Sequence, residues 1–188
     1  MTQKKTHEIE ELYAALGKFI VSFAEIEHWL TCLLGVLTDD EENIWLTLFF
    51  IDELMTGKVR DKIHSVANLR LEDNKELLAR LKATLTEVAS LTTERNKIIH
   101  GQWIFVSTIT KLHSYKLKKI TIEKDQHYWQ RLEDKAIFPK DLNRLTEKAE
   151  KLADDIENLR GEIEGYLKAT EKRIQELVNR AGSAMTGA

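Results

Sequence analysis

The chain has 188 residues, 43% of them apolar and 31% charged, which is enough for one domain with a proper core. One proline and eight glycines favour long helices with charged outer faces. A net charge of −3 excludes capture of nucleic acid by the whole-molecule field, so any such binding needs a local basic patch.

The first helix is marked by Ile9, Leu12, Leu16, Phe19, Phe23, Ile26, Leu30, Leu33 and Leu37, which alternate steps of three and four. Ile20, Ala24, Glu27 and Leu34 flank this stripe, so Glu27 is expected at the edge of the buried face. Thr38, Asp39 and Asp40 end the helix and can cap the next. Residues 41–56 are apolar nearly all round, which predicts burial on several sides. Gly57 is expected to break that segment. A shorter helix follows, with Val59, Ile63, Val66 and Leu69 inward, and 71–74 form a polar connection.

A long helix is predicted from about Asn74 to His100, with a stripe of Leu78, Leu81, Leu85, Val88, Thr92, Arg95 and Ile99. Gly101 is placed as the glycine just past its end. The period then changes to two. Trp103, Phe105, Ser107 and Ile109 alternate with Ile104, Val106 and Thr108, and the alternation resumes from Tyr115 to Glu123. This predicts a small β-hairpin over about 102–123, joined around Lys111 to Ser114. Pro139 suits the first turn of a last helix over about 139–180. Its stripe is Leu142, Leu145, Ala149, Leu152, Ile156, Leu159, Ile163, Tyr166, Thr170, Ile174 and Leu177. Such a length exceeds a bundle of this size, so its far end is expected to project, to bend near Gly161 and Gly165, or to pair with a second chain. Residues 181–188 are expected to be a disordered tail. The predicted fold is all-α: a single domain over 1–180, built as a four- to five-helix bundle with the hairpin insertion and the long C-terminal helix.

The chemistry is concentrated at the end of the second long helix, in Arg95-Asn96-Lys97-Ile98-Ile99-His100-Gly101. Arginine is a fixed cation, and histidine exchanges a proton near neutral pH. Nine arginines and six histidines give about one arginine–histidine pair of similar spacing by chance, so the spacing alone carries little weight. The context adds to it. Arg95 falls on a core stripe, where an unpaired charge is costly. His100 falls in the last turn, where the helix dipole favours a cation. Positions five apart differ by about 140° around a helix, so Arg95 and His100 do not share an ideal face, whereas Asn96 and His100 do. The structural alternative pairs Arg95 with Glu27 or Glu94 and leaves His100 capping carbonyls.

Glu94 to Gly101 resembles the signature of the HEPN superfamily, whose members are small helical domains, many of them ribonucleases. Arg95, Asn96 and His100 match its pattern residue by residue. The resemblance covers roughly Ile9 to His100 and part of the last helix. It implies a homodimer with a composite, metal-independent site in which the RNA 2′-hydroxyl attacks its own phosphate. His100 is then the general base or acid, Arg95 stabilises phosphate charge, and Asn96 orients the histidine or binds phosphate. It also implies RNA as substrate, a toxin or defence role, and an antitoxin or other protein partner. The alternative is a non-catalytic helical module that binds a protein or a nucleotide.

Lys116, Lys118 and Lys119 with Tyr115 are candidate substrate contacts, set against a solvated, lysine-guarded edge strand. Trp103 can wall the site or pack in the core. Glu27 and Glu94 are candidate supporting residues. The other histidines lack ligand spacing, so neither a metal nor a cofactor is expected. Cys32 stands alone, which precludes an intrachain disulfide. The polar N-terminus and the lack of a run of about 18 apolar residues point to the cytoplasm, with no membrane partner.

Overall fold

A computed structural model describes residues 3–38, 56–100, 102–105, 112–123 and 126–186, with side chains for 7, 9–38, 56–100 and 137–180. Among the described residues there are four α-helices: α1 (Gln3–Thr38), α2 (Thr56–Arg70), α3 (Lys75–Ile99) and α4 (Pro139–Thr186). Three strands, β1 (Gln102–Phe105), β2 (Leu112–Glu123) and β3 (Gln126–Ile137), lie between α3 and α4. The chain is predominantly helical, in keeping with the all-α class. The apolar segment expected over 41–56 lies outside the described residues up to position 55, as do Asp39, Asp40 and Gly101.

The fold divides into two compact units: Met1–Ile26 with Thr86–Leu152, and Glu27–Leu85 with Ala153–Ala188. α1, α3 and α4 each contribute a stretch to both. In the first unit, α1 buries Leu12, Ala15, Phe19, Phe23 and Ile26, α3 buries Val88, Leu91 and Ile98, and α4 buries Leu142, Ala149 and Leu152. Ile137, at the end of β3, joins that core. Phe19 and Phe23 meet edge to face, with centroids 6.3 Å apart. In the second unit the core is formed by Leu30, Leu33 and Leu37 of α1, Val59, Ile63 and Ala67 of α2, Leu77, Leu81 and Leu85 of α3, and Ile156, Leu159, Ile163 and Leu167 of α4.

The stripe of α1 therefore holds almost throughout. Ile9–Thr38 is also long and apolar enough to cross a membrane by length and composition, although no uninterrupted apolar run does so. Its most apolar window is 56% buried within the protein, as in a core helix. α2 differs from expectation. Leu69 is exposed and Ala67 is buried in its place, because burial follows angle: Ala67 is four residues from Ile63, while Leu69 is six away and about 120° off the stripe. Gly57 sits in the first turn of α2, and the segment it is expected to break lies outside the described residues up to position 55. Leu71 is fully buried, so the connection to α3 is not wholly polar. On α3 the buried line runs through Leu77, Leu81, Leu85, Val88, Leu91 and Ile98, which leaves Thr92 and Arg95 half-buried at its edge.

Asn74 caps α3: its Oδ1 accepts the Leu77 N–H at 3.1 Å. Asn74→Ala is expected to cost about 1 kcal/mol, read as a lower midpoint in urea with an unchanged slope. α4 starts at Pro139 as the sequence predicts, and the Asp141 carboxylate accepts the Phe138 N–H at 3.0 Å. α4 is one continuous helix through Gly161 and Gly165. It extends to Thr186, past the expected end near 180 and into the segment expected to be a tail. All residues from Glu171 to Arg180 are exposed, among them Ile174, Leu177 and Val178.

The two-stranded hairpin expected over 102–123 is not the arrangement found. The strands form a three-stranded antiparallel sheet in the order β1-β2-β3. β2 starts at Leu112, so His113 and Ser114 belong to a strand and not to a connection. β3 escapes sequence reading because it is poor in β-branched residues. A register shift between Lys116 and Leu117, opposite Glu133 and Arg131, also interrupts its alternation at Leu132.

In the second unit Arg80 grips Glu162 through two hydrogen bonds of 2.6 and 2.8 Å. This holds the Glu162 carboxyl below its ordinary range. A hydrogen bond from Lys168, aided by Arg160, does the same for Glu164. A carboxyl depressed by folding stabilises the native state above its unfolded pKa, and the contribution is lost as pH falls through the folded value. Glu162→Gln should therefore show a shallower fall in Tm than the parent on acidification below about pH 5. Glu162 is exposed, so the difference is small.

Candidate functional site

The last turns of α3 carry the segment that the sequence singles out. Helical geometry persists to its end, where the His100 N–H donates to the Asn96 carbonyl at 3.0 Å. His100 thus stands one turn above Asn96. Its side chain is exposed, and among the described residues it has no hydrogen-bond or ionic partner.

Arg95 is half-buried. Its guanidinium carbon lies 5.5 Å from the centroid of the Phe23 ring. Its Nη1 donates to Asn96 Oδ1 at 3.1 Å. No carboxylate partners Arg95 among the described residues. The two acids expected as alternatives are engaged by other groups: Glu94 pairs with Lys97 at 3.3 Å, and Glu27 accepts the Thr56 hydroxyl. A guanidinium with no acid beside it keeps its whole charge for an external anion. The structure places the Asn96 carboxamide oxygen on Arg95.

β1 starts two residues beyond His100, with Trp103 opposite Ser114. β2 carries the four candidate substrate contacts. The register sets acidic positions against two of them, Glu133 opposite Lys116 and Asp134 opposite Tyr115.

Sequence reasoning missed Phe23 as a site residue. It belongs to the α1 stripe and reads as core, and only the packing brings it to Arg95. Cys32, in the second unit, is half-buried, with its Sγ 3.7 Å from His28 Nε2. Burial pushes its thiol pKa up, which works against a nucleophilic role.

No family model, curated protein or solved structure matches this chain.

Proposed function

We propose that this protein is a metal-independent endoribonuclease of the HEPN type, acting as a homodimer with a composite site and serving as a toxin or defence nuclease. The observation that carries the reading is the half-buried Arg95 guanidinium, held by an aromatic ring and an amide and, among the described residues, with no carboxylate to neutralise it. His100 supports it as an exposed imidazole at the end of the same helix.

The chemistry follows from these groups. The RNA 2′-hydroxyl attacks the adjacent phosphorus. The O2′–P bond forms, the P–O5′ bond breaks, and the products are a 2′,3′-cyclic phosphate and a 5′-hydroxyl. His100 accepts the proton from O2′ as general base. The partner's His100 supplies a proton to the departing O5′. Arg95 faces the negative charge that builds on the non-bridging oxygens. Purified protein in EDTA should cleave RNA to cyclic-phosphate ends, and 2′-deoxy substitution at the scissile nucleotide should block the cut. Equal cleavage by parent and by the Arg95→Ala, His100→Ala double variant would overturn the proposal.

A second reading, a non-catalytic module that binds a protein partner, is favoured by Ile174, Leu177 and Val178, exposed at 55–59% along α4. It gains if the parent leaves RNA intact while Leu177→Glu abolishes capture of a partner without altering Tm.

A further inference from the structure

The stripe of α1 does more than fill a core at Phe23. Its ring is 2% exposed, so its position is set by packing on all sides. The neighbouring Phe19, fully buried, contacts it edge to face at 63° between the ring planes. One ring face is left to the Arg95 guanidinium, 5.5 Å away. On the other side of that guanidinium's freedom, Asn96 Oδ1 fixes Nη1 at 3.1 Å.

From this geometry we infer that Phe23 is the positioning residue of Arg95, acting with Asn96 as a two-point clamp on the guanidinium. The choice of clamp has a chemical consequence. A carboxylate would hold an arginine equally well but would cancel its charge. An aromatic face holds it through the ring quadrupole and leaves the cation uncompensated. Of the five N–H donors, one is used by Asn96, and among the described residues no partner takes the other four, which suit an oxyanion such as a phosphodiester. A long, flexible side chain is thereby pre-ordered before substrate arrives, which lowers the cost of aligning it in the transition state. The catalytic consequence rests on the ribonuclease reading; the clamp itself does not.

The test uses full-length protein with three changes at position 23. Phe23→Leu removes the ring. Phe23→Tyr keeps it. Pentafluorophenylalanine keeps shape and packing but reverses the quadrupole. The first readout is the Arg95 Nε–Hε resonance, assigned by its loss in Arg95→Lys. The ring-current shift should disappear in Phe23→Leu and persist in Phe23→Tyr. In the fluorinated protein the Arg95 side chain should become more mobile while Tm stays near the parent value. The second readout is cleavage. Phe23→Leu and the fluorinated protein should lose about 5- to 30-fold in kcat with KM within about twofold, and Phe23→Tyr should recover most of it. An Arg95 resonance indifferent to Phe23→Leu and to fluorination overturns the clamp. So does a kcat that falls only in step with Tm. If the parent cleaves no RNA, the ribonuclease reading fails, and the Arg95 resonance alone decides the clamp.

Discussion

Arg95→Ala is expected to lower the single-turnover rate of RNA cleavage by about 10²- to 10³-fold, the usual cost of removing one donor aimed at developing charge. His100→Ala should cost about 10²- to 10⁴-fold through loss of proton transfer. The double variant should be little worse than the poorer single one, because the two groups serve one step. Folding separates the two residues. His100 is exposed and without a side-chain partner among the described residues, so its removal should leave Tm unchanged. Arg95 lies over Phe23, so its removal should also cost about 1 kcal/mol of stability. Arg95→Lys keeps the charge but loses the planar fork, and should recover only part of the rate. Cleavage assays run beside thermal melts distinguish these outcomes. Arg95→Ala protein that melts lower and cleaves at the parent rate would remove the catalytic role.

The largest expected stability effect is at Phe19, which is fully buried and braces Phe23. Phe19→Ala removes a ring from a packed core and should destabilise by about 3–5 kcal/mol. For a chain of this size that lowers Tm by roughly 10–15 °C. Val21, two residues away on the same helix, is 63% exposed. Val21→Ala should shift stability by less than about 0.5 kcal/mol. Comparable losses at both positions would mean that α1 does not bury the face described.

These two residues also show what could be read from the chain. The α1 stripe was legible because large side chains recur at the helical period and every one from Phe19 to Leu37 is buried. α2 misled because Ala67 carries the burial that Leu69 advertises: size and angle disagree, and angle decides. Thr146 and Ala153 on α4 are further small or polar residues that a search for large side chains passes over, yet both are buried. β3 was hidden by its composition and by its bulge. At the site, Arg95, Asn96 and His100 were legible as a helix end. The approach of Phe23 was not, because the two residues are far apart in sequence and only tertiary packing joins them.

α4 has a further consequence. Up to Leu167 its amides are protected by a packed core, so their hydrogen exchange requires that core to open. From Glu171 to Arg180 every residue is exposed, and Arg70 pairs with Glu171 at the start of that stretch, at 3.3 Å. One uninterrupted helix therefore holds two regimes of persistence. Deuterium should enter the distal turns orders of magnitude faster than the proximal ones, and the step in rate should fall near Thr170. A second molecule seated on Ile174, Leu177 and Val178 would announce itself by erasing that step.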